Sequence, residues 1–234
     1  LDKNKDIFGT AIKAFYEEND KTAIIVHSPD FEDDSIPVEY LFRDYEQMPK
    51  IEQKALNLCL GRVLDVGCGA GSHALYLQKN KDFQVKAIDT SERAIEIVKK
   101  RGVKNALCED FFKIKNEKFD TILMLMNGTG IIEKLENLQH FFEHSRSILN
   151  KGGKILIDSS DLIYLFDDEP IDTQKYYGEF QFSVSYKNQK SDDFNWLYID
   201  PALLKKYAEA NNFQCEVLET GENHDYLACL TAAH

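Results

Sequence analysis

The chain has 234 residues, with 28 Lys and Arg against 40 Asp and Glu for a net charge of −12, and it is 43% hydrophobic and 29% charged. That is enough chain for one sizeable α/β domain with an elaboration, or for two small domains, and the composition is that of a globular protein. The negative field repels phosphate, which disfavours nucleic acid and anionic membrane as partners, and no apolar run approaches the roughly 20 residues of a membrane helix.

The five cysteines, Cys59, Cys68, Cys108, Cys215 and Cys229, are odd in number and lack CxxC spacing. This argues against a disulfide framework and a zinc site, and no metal is expected. Cys59, Cys68, Cys108 and Cys229 lie in apolar or Gly-loop contexts and read as reduced, mostly buried thiols. With no signal-peptide pattern at the start, they point to a cytoplasmic protein.

In chain order, Asp6 to Glu18 places Ile7, Ala11, Ala14 and Phe15 at helical spacing. Thr22 to Val26 is a β-branched run of strand type, and Ser28 to Pro37, with two prolines and four acids, reads as loop. Pro49 opens a helix through about Cys59 that Gly61 stops. Residues 1–60 are thus expected to form an N-terminal helical extension before a domain spanning 61–234.

Residues Arg62 to Leu77 read RVLDVGCGAGSHALYL. A short apolar run meets three glycines in five residues, and a helical pattern follows at once. Glycine permits positive φ and lets a ligand lie against bare backbone, and the helix N-terminus behind it offers free N–H groups. Dinucleotide loops use G-x-G-x-x-G, whose third glycine would fall at Ser72. Asp65, two residues before the first glycine, would repel a pyrophosphate but could accept from an ammonium group. The stretch Asp65-Val66-Gly67-Cys68-Gly69-Ala70-Gly71 resembles the D-x-G-x-G-x-G motif of class I S-adenosylmethionine (SAM)-dependent methyltransferases.

Phe83 to Ile88 reads as the next strand and ends in Asp89, 22 residues after Gly67. That spacing suits a carboxylate gripping a ribose diol. Ser91 can cap a helix that Gly102 ends. Ala106 to Cys108 is a short strand before Asp110 and Phe111. Phe119 to Met126 is a nearly continuous apolar run, as for a strand buried on both faces, and ends in Asn127-Gly128-Thr129-Gly130. A helix from about Leu135 to Leu149 and a strand from Lys154 to Ile157, ending at Asp158, complete the alternation. Glu179 to Lys187 and Phe194 to Ile199 then show period-two patterning, with KNQKSDD as the turn between them. This marks a β-rich insertion of about 162–198, with the N-terminal segment as a candidate to pack on it. A helix from Asp200 and a hairpin of Gln214–Glu219 and Tyr226–Thr231 close the chain.

This order is α/β and doubly wound. The resemblance adds a mostly parallel seven-stranded sheet with an antiparallel last strand, here carrying the extension and the insertion after the fifth strand. It also implies SAM as cofactor and S-adenosylhomocysteine (SAH) as product. Asp65, Gly67, Cys68, Gly69 and Gly71 would meet its amino-acid end. Asp89 would hold the ribose, with Thr90 and Ser91 beside it. Asp110 would meet the adenine amino group with Phe111 on the ring, and Met126 and Asn127 would line the methyl side. Read locally, Asp89 and Asp110 can equally be turn or cap residues, and Asn127 can satisfy loop backbone.

Arg43 and Tyr45, in the aromatic stretch Tyr40–Tyr45, are candidates for the cofactor carboxylate. Asn127, Asp158 and His224 are the candidate catalytic groups, and Asp161 and Glu219 are further bases. His73 reads as a packing or capping residue. Nucleobase and glutamine amino-methylases often carry N-P-P-Y or D-P-P-Y where this chain has Asn127-Gly128-Thr129-Gly130, which lowers exocyclic amino methylation of nucleic acid. Aromatics such as Trp196 and Phe182 serve either as a lid over a small acceptor or as the core of a cap or a homodimer face. The expectation is methyl transfer to a small-molecule O or N. The alternatives are an NAD-dependent oxidoreductase, a non-catalytic SAM-binding module, and a protein or RNA methyltransferase.

Overall fold

The computed structural model describes residues 5–80, 83–166 and 175–232. The first half runs α1 (Ile7–Glu18), β1 (Ile24–His27), β2 (Asp34–Ile36), α2 (Lys50–Leu58), β3 (Arg62–Val66), α3 (Ser72–Asn80), β4 (Gln84–Asp89), α4 (Glu92–Lys100) and β5 (Ala106–Cys108). The second half runs β6 (Phe119–Met124), α5 (Leu138–Ile148), β7 (Leu149–Ser160), β8 (Glu179–Tyr186), β9 (Gln189–Lys190), β10 (Phe194–Leu197), α6 (Pro201–Ala210), β11 (Phe213–Thr220) and β12 (Asp225–Ala232). No helix among the described residues is long and apolar enough to cross a membrane.

Seven strands form one sheet in the order β11-β12-β7-β6-β3-β4-β5. The pairs β4–β5 and β6–β7 are parallel, whereas β12 runs antiparallel to β7 and β11. This is the expected doubly wound sheet with its antiparallel last strand. The apolar runs of β3 and β6 are almost wholly buried, as strands covered on both faces must be. Strand order reverses at β3, and in such sheets ligands gather beyond the strand ends near a reversal.

A second sheet has the order β10-β8-β1-β2, with β9 also on β8. The insertion strands therefore form, and β1 docks on them antiparallel with Val26 opposite Val184. The N-terminal extension is not only helical, because it supplies two strands here. Asp34–Ile36, expected as loop, pairs with β1. It is a mostly exposed outer strand, where acidic side chains cost little and discourage further pairing. The turn KNQKSDD holds β9. Residues 167–174 of the insertion lie outside the described residues.

Two further expectations change. Strand β7 is longer than Lys154–Ile157, because pairing with β12 continues to Asp225 opposite Ser160. Asp158 therefore lies inside a strand. Cys108 is exposed, since β5 is the sheet's last strand, whereas Cys59 and Cys68 are buried and Cys215 and Cys229 half-buried.

The chain divides into two compact units. The first comprises Leu1–Met48, Leu64–Lys113 and Gln181–Phe194. Its core gathers Ile7, Ile12, Ile24, Ala94, Ile97 and Tyr186. The second comprises Pro49–Val63, Ile114–Phe180 and Asn195–His234. Phe141, Phe142 and Phe213 are fully buried there, with the last two rings 5.1 Å apart.

Within the first unit, α1 and α4 share one polar joint at their N-termini. Asp6 caps α1 by accepting the Gly9 N–H at 2.9 Å. Ser91 caps α4 by accepting the Ala94 N–H at 2.9 Å, and its hydroxyl donates to Asp6 at 2.8 Å. Gly9 makes this approach feasible, because a Cβ there would sit 2.1 Å from Ser91 Oγ. A lost cap costs about 0.5–2 kcal/mol, and each kcal/mol lowers the melting temperature by roughly 2–4 °C in a chain of this size. Calorimetry of Asp6→Ala, Ser91→Ala and the double variant should show each single loss on that scale and a double loss smaller than their sum, because the two residues share a bond.

Candidate functional site

The glycine loop leaves β3 with Gly67, Gly69 and Gly71 at φ of 68°, 53° and 81°. A Cβ on Gly69 would meet nothing within 4 Å, so the open side of the loop is bare backbone that a ligand can approach. A Cβ on Gly71 would press on Val98 at 3.0 Å, so this glycine serves packing against α4. Three loop amides are engaged within the protein. Cys68 N–H donates to Ile88 O at 3.0 Å, Gly71 N–H to Cys68 O at 2.7 Å, and Gly69 N–H to the Asp89 carboxylate at 2.9 Å. This is the wiring of a loop fastened to β4, unlike one whose amides are kept for a pyrophosphate.

Two carboxylates lie within this loop region. Asp65 is 2% exposed, and its Oδ2 has no hydrogen-bond partner within the protein. Burial pushes its carboxyl up to about 6, against the pull of His73 and the Ala74 N–H, and the Asp89 charge adds to the rise. Asp89 is also raised by burial, opposed by the N–H groups of Ser91 and Gly69. Burial and both carboxylates push the Cys68 thiol up. A buried acidic oxygen without a partner is costly, and a cation relieves that cost where a phosphate would deepen it. The residues therefore fit a ligand that brings an ammonium or sulfonium.

The other expected cofactor residues divide. Thr90 is exposed beside Asp89. Ser91, expected beside the ribose, is buried and makes its hydroxyl bonds to Asp6 and Ala94. Asp110 is half-buried, accepting the Phe112 N–H at 2.9 Å with Lys113 at 3.4 Å, and Phe111 is buried. Arg43 is buried, with its guanidinium 3.8 Å over the Tyr40 ring and donating to Tyr40 O. The Tyr45 ring stacks on Tyr76 of α3 at 4.2 Å.

In the second unit the chain leaves β6 through a strained turn, with Met126 at φ 67° and Asn127 at φ 58°. Asp158 holds it, accepting from Met126 N–H at 3.0 Å and Gly128 N–H at 2.8 Å. Burial pushes the Asp158 carboxyl up to about 6 against these amides, with buried Glu52 adding to the rise. Both Asp158 oxygens accept loop backbone N–H groups, so this carboxylate positions the turn after β6. Asn127 Oδ1 accepts from Ser160 Oγ at 3.0 Å. Thr129 Oγ1 bonds Ser159 Oγ at 2.7 Å and Leu197 O at 2.9 Å.

A Cβ on Gly130 would fall 1.8 Å from the Trp196 ring, so the indole lies directly on this glycine. His224 is exposed in the hairpin loop and stacks on Tyr164 at 4.4 Å. Asp161 accepts from Tyr177 OH at 2.7 Å, and Glu219 pairs with Lys54 at 2.9 Å, so both further base candidates have structural partners.

Sequence reasoning missed Asp6, Glu52, Arg101 and the Gly130–Trp196 contact. Only Asp6 left a readable signal, an acid directly before a helical pattern.

Residues 64–157 match a family model described as a methyltransferase domain. A solved structure, a SAM-dependent methyltransferase from Bacteroides fragilis in complex with S-adenosyl-L-homocysteine, is 46% identical and superposes with a TM-score of 0.94, covering 100% of this chain and 98% of that one. This chain belongs to the SAM-dependent methyltransferases. Curated relatives align over less of their length. A probable cobalt-precorrin-6B C(15)-methyltransferase (decarboxylating) of Saccharolobus solfataricus is 31% identical, over 51% of this chain and 66% of that protein. Protein arginine N-methyltransferase 2 of Dictyostelium discoideum is 30% identical, over 57% of this chain and 25% of that protein. The oxidoreductase alternative falls with this membership.

The raised Asp65 sets a pH signature for the methyltransferase. Between its ordinary 3.8 and about 6, the folded state keeps a proton that the unfolded chain releases. Stability from this group is therefore lost as pH rises through that window and stays low above it. Asp65→Asn should flatten the fall by on the order of 1–3 kcal/mol, with Asp89 and Asp158, raised in the same direction, supplying what remains. Urea unfolding from pH 4 to 8 measures this, and an unchanged slope contradicts it.

Proposed function

We propose that this methyltransferase transfers the methyl group of SAM to an oxygen or nitrogen of a small molecule. The observation that carries the cofactor half is the buried Asp65 oxygen without a protein partner, beside a loop whose Cys68, Gly69 and Gly71 amides are bonded within the protein. Asp65 accepts from the ammonium group of the methionine moiety. Asp89, whose oxygens accept the Gly69 and Ser91 N–H groups, takes the ribose hydroxyls on its remaining lone pairs. Asp110 and Phe111 take the adenine. Arg43 and Tyr45 order the N-terminal segment through their ring contacts.

The sulfonium supplies a methyl group that is already activated. The chain's own residues therefore bind, align and exclude water, and alignment alone is worth effective molarities of about 10⁵–10⁸ M. A base is required only for an acceptor that arrives protonated. The acceptor half rests on the net charge of −12, unfavourable for nucleic acid, and on the aromatics of the second unit. There Trp196 covers Gly130, Tyr164 stacks on His224, and Phe166 and Tyr177 meet at 6.1 Å. We assign this aromatic cluster of the second unit, with Trp196 at its centre, as the cap over the acceptor. A small acceptor accords with the precorrin in the name of the Saccharolobus relative.

SAH at 100 times its Kd should stabilise the protein by about 2.7 kcal/mol, and Asp89→Ala should remove that thermal shift. A small-molecule screen read by SAH release identifies the acceptor. With that acceptor, Trp196→Ala should raise its KM by about tenfold or more while the KM for SAM changes little. Equal changes in both would remove the cap assignment.

A further inference from the structure

Arg101 follows the last turn of α4, and nothing in the motif reading assigns it a role. Its guanidinium reaches two separate stretches of the first unit. Nη1 donates to Ala70 O, the carbonyl between Gly69 and Gly71, and to Ser72 Oγ at 3.3 Å. Nη2 donates to Phe42 O at 3.4 Å, and the group lies 4.8 Å over the Phe42 ring. Ser72, where a dinucleotide loop would place its third glycine, donates its own hydroxyl to Leu41 O at 2.9 Å. Tyr45 stacks on Tyr76 one turn further along α3. Residues 38–47 are therefore fastened to the glycine loop and its helix by a fork of hydrogen bonds. Burial works against the Arg101 charge, with Asp44 compensating in part.

We propose that Arg101 is a cofactor-positioning residue that clamps the 38–47 segment to the glycine loop, so that loop order and segment docking are one equilibrium. The proposal rests on the SAM reading of that loop. Holding the Ala70 carbonyl fixes the Ala70–Gly71 peptide, whose N–H donates to Cys68 O. That peptide follows Gly69, whose N–H bonds Asp89. A cofactor that orders the loop must therefore also steady residues 38–47, and loosening those residues must weaken the cofactor by the same factor. Lysine cannot replace the clamp, because a single ammonium does not span carbonyls that a planar fork reaches together.

The experiment measures SAH affinity by calorimetry and amide exchange of residues 38–47 with and without SAH, in wild type, Arg101→Lys and Ser72→Ala. The expected result is an affinity loss of about tenfold or more in Arg101→Lys and a smaller loss in Ser72→Ala. SAH should slow exchange in 38–47 in the wild type, and that slowing should be lost in Arg101→Lys. A purely structural arginine would lower the melting temperature and leave SAH affinity within about twofold, which overturns the clamp. SAH-induced slowing that persists in Arg101→Lys also overturns it. Should Arg101→Lys fail to fold, Ser72→Ala, which keeps the charge in place, reads the same coupling. A wild type that ignores SAH sinks the cofactor reading itself, whereas a wild type that binds SAH beside an equally competent Arg101→Lys sinks the clamp alone.

Discussion

The Asp89 carboxylate is the constraint on which the first unit depends. One oxygen accepts the Gly69 N–H and the other the Ser91 N–H, each at 2.9 Å. Through Gly69 it holds a loop with three left-handed glycines, a backbone with little preference of its own for one conformation. Through Ser91 it reaches the cap of α4, and the Ser91 hydroxyl passes the connection to Asp6 and the start of α1. Charge-assisted bonds to backbone N–H groups are among the stronger polar contacts a protein makes. A single side chain thus connects the ligand-facing loop to two helices distant in sequence.

Around this anchor the protein keeps groups that a stability-optimised fold would remove. Asp65 is a buried carboxylate whose second oxygen the protein does not satisfy. Asp158 is another buried acid, raised in the same direction, held in place to secure Met126 and Asn127 in left-handed backbone. Both arrangements carry a cost in the free protein. For Asp65 a bound cation would relieve that cost. For Asp158 that cost maintains the shape of the turn after β6, and the same turn keeps glycine at 130 where the Trp196 indole lies.

Much of this was legible in the residues. The strand, glycine loop and helix run, Asp89 at the next strand end and the Ser91 cap are set by contacts a few residues apart, so spacing reveals them. Period-two patterning in Glu179–Tyr186 likewise exposed a strand foreign to the doubly wound sheet. What escaped depends on distant partners. Asp34–Ile36 looks like an acidic loop and becomes a strand because β1 offers it an edge. Asp158 looks like the end of a strand until β12 extends β7 past it, and its oxygens hold the turn after β6. Cys108 looks apolar by its neighbours, yet it lies on the last strand of the sheet, where solvent replaces a neighbour.

The amino-acid sequence by itself determined the fold class, the cofactor loop and the family, because each is written in local spacing: glycines where backbone must turn and acids where charge must end a strand. Tertiary structure alone decided which polar groups are occupied and which are left for a ligand. Hydrogen-bond capacity is consumed by partners tens of residues away, as with Arg101 on Ala70 and Asp158 on Gly128. No local pattern records that consumption, because side chains compete for the same donors and acceptors only after the chain has closed on itself.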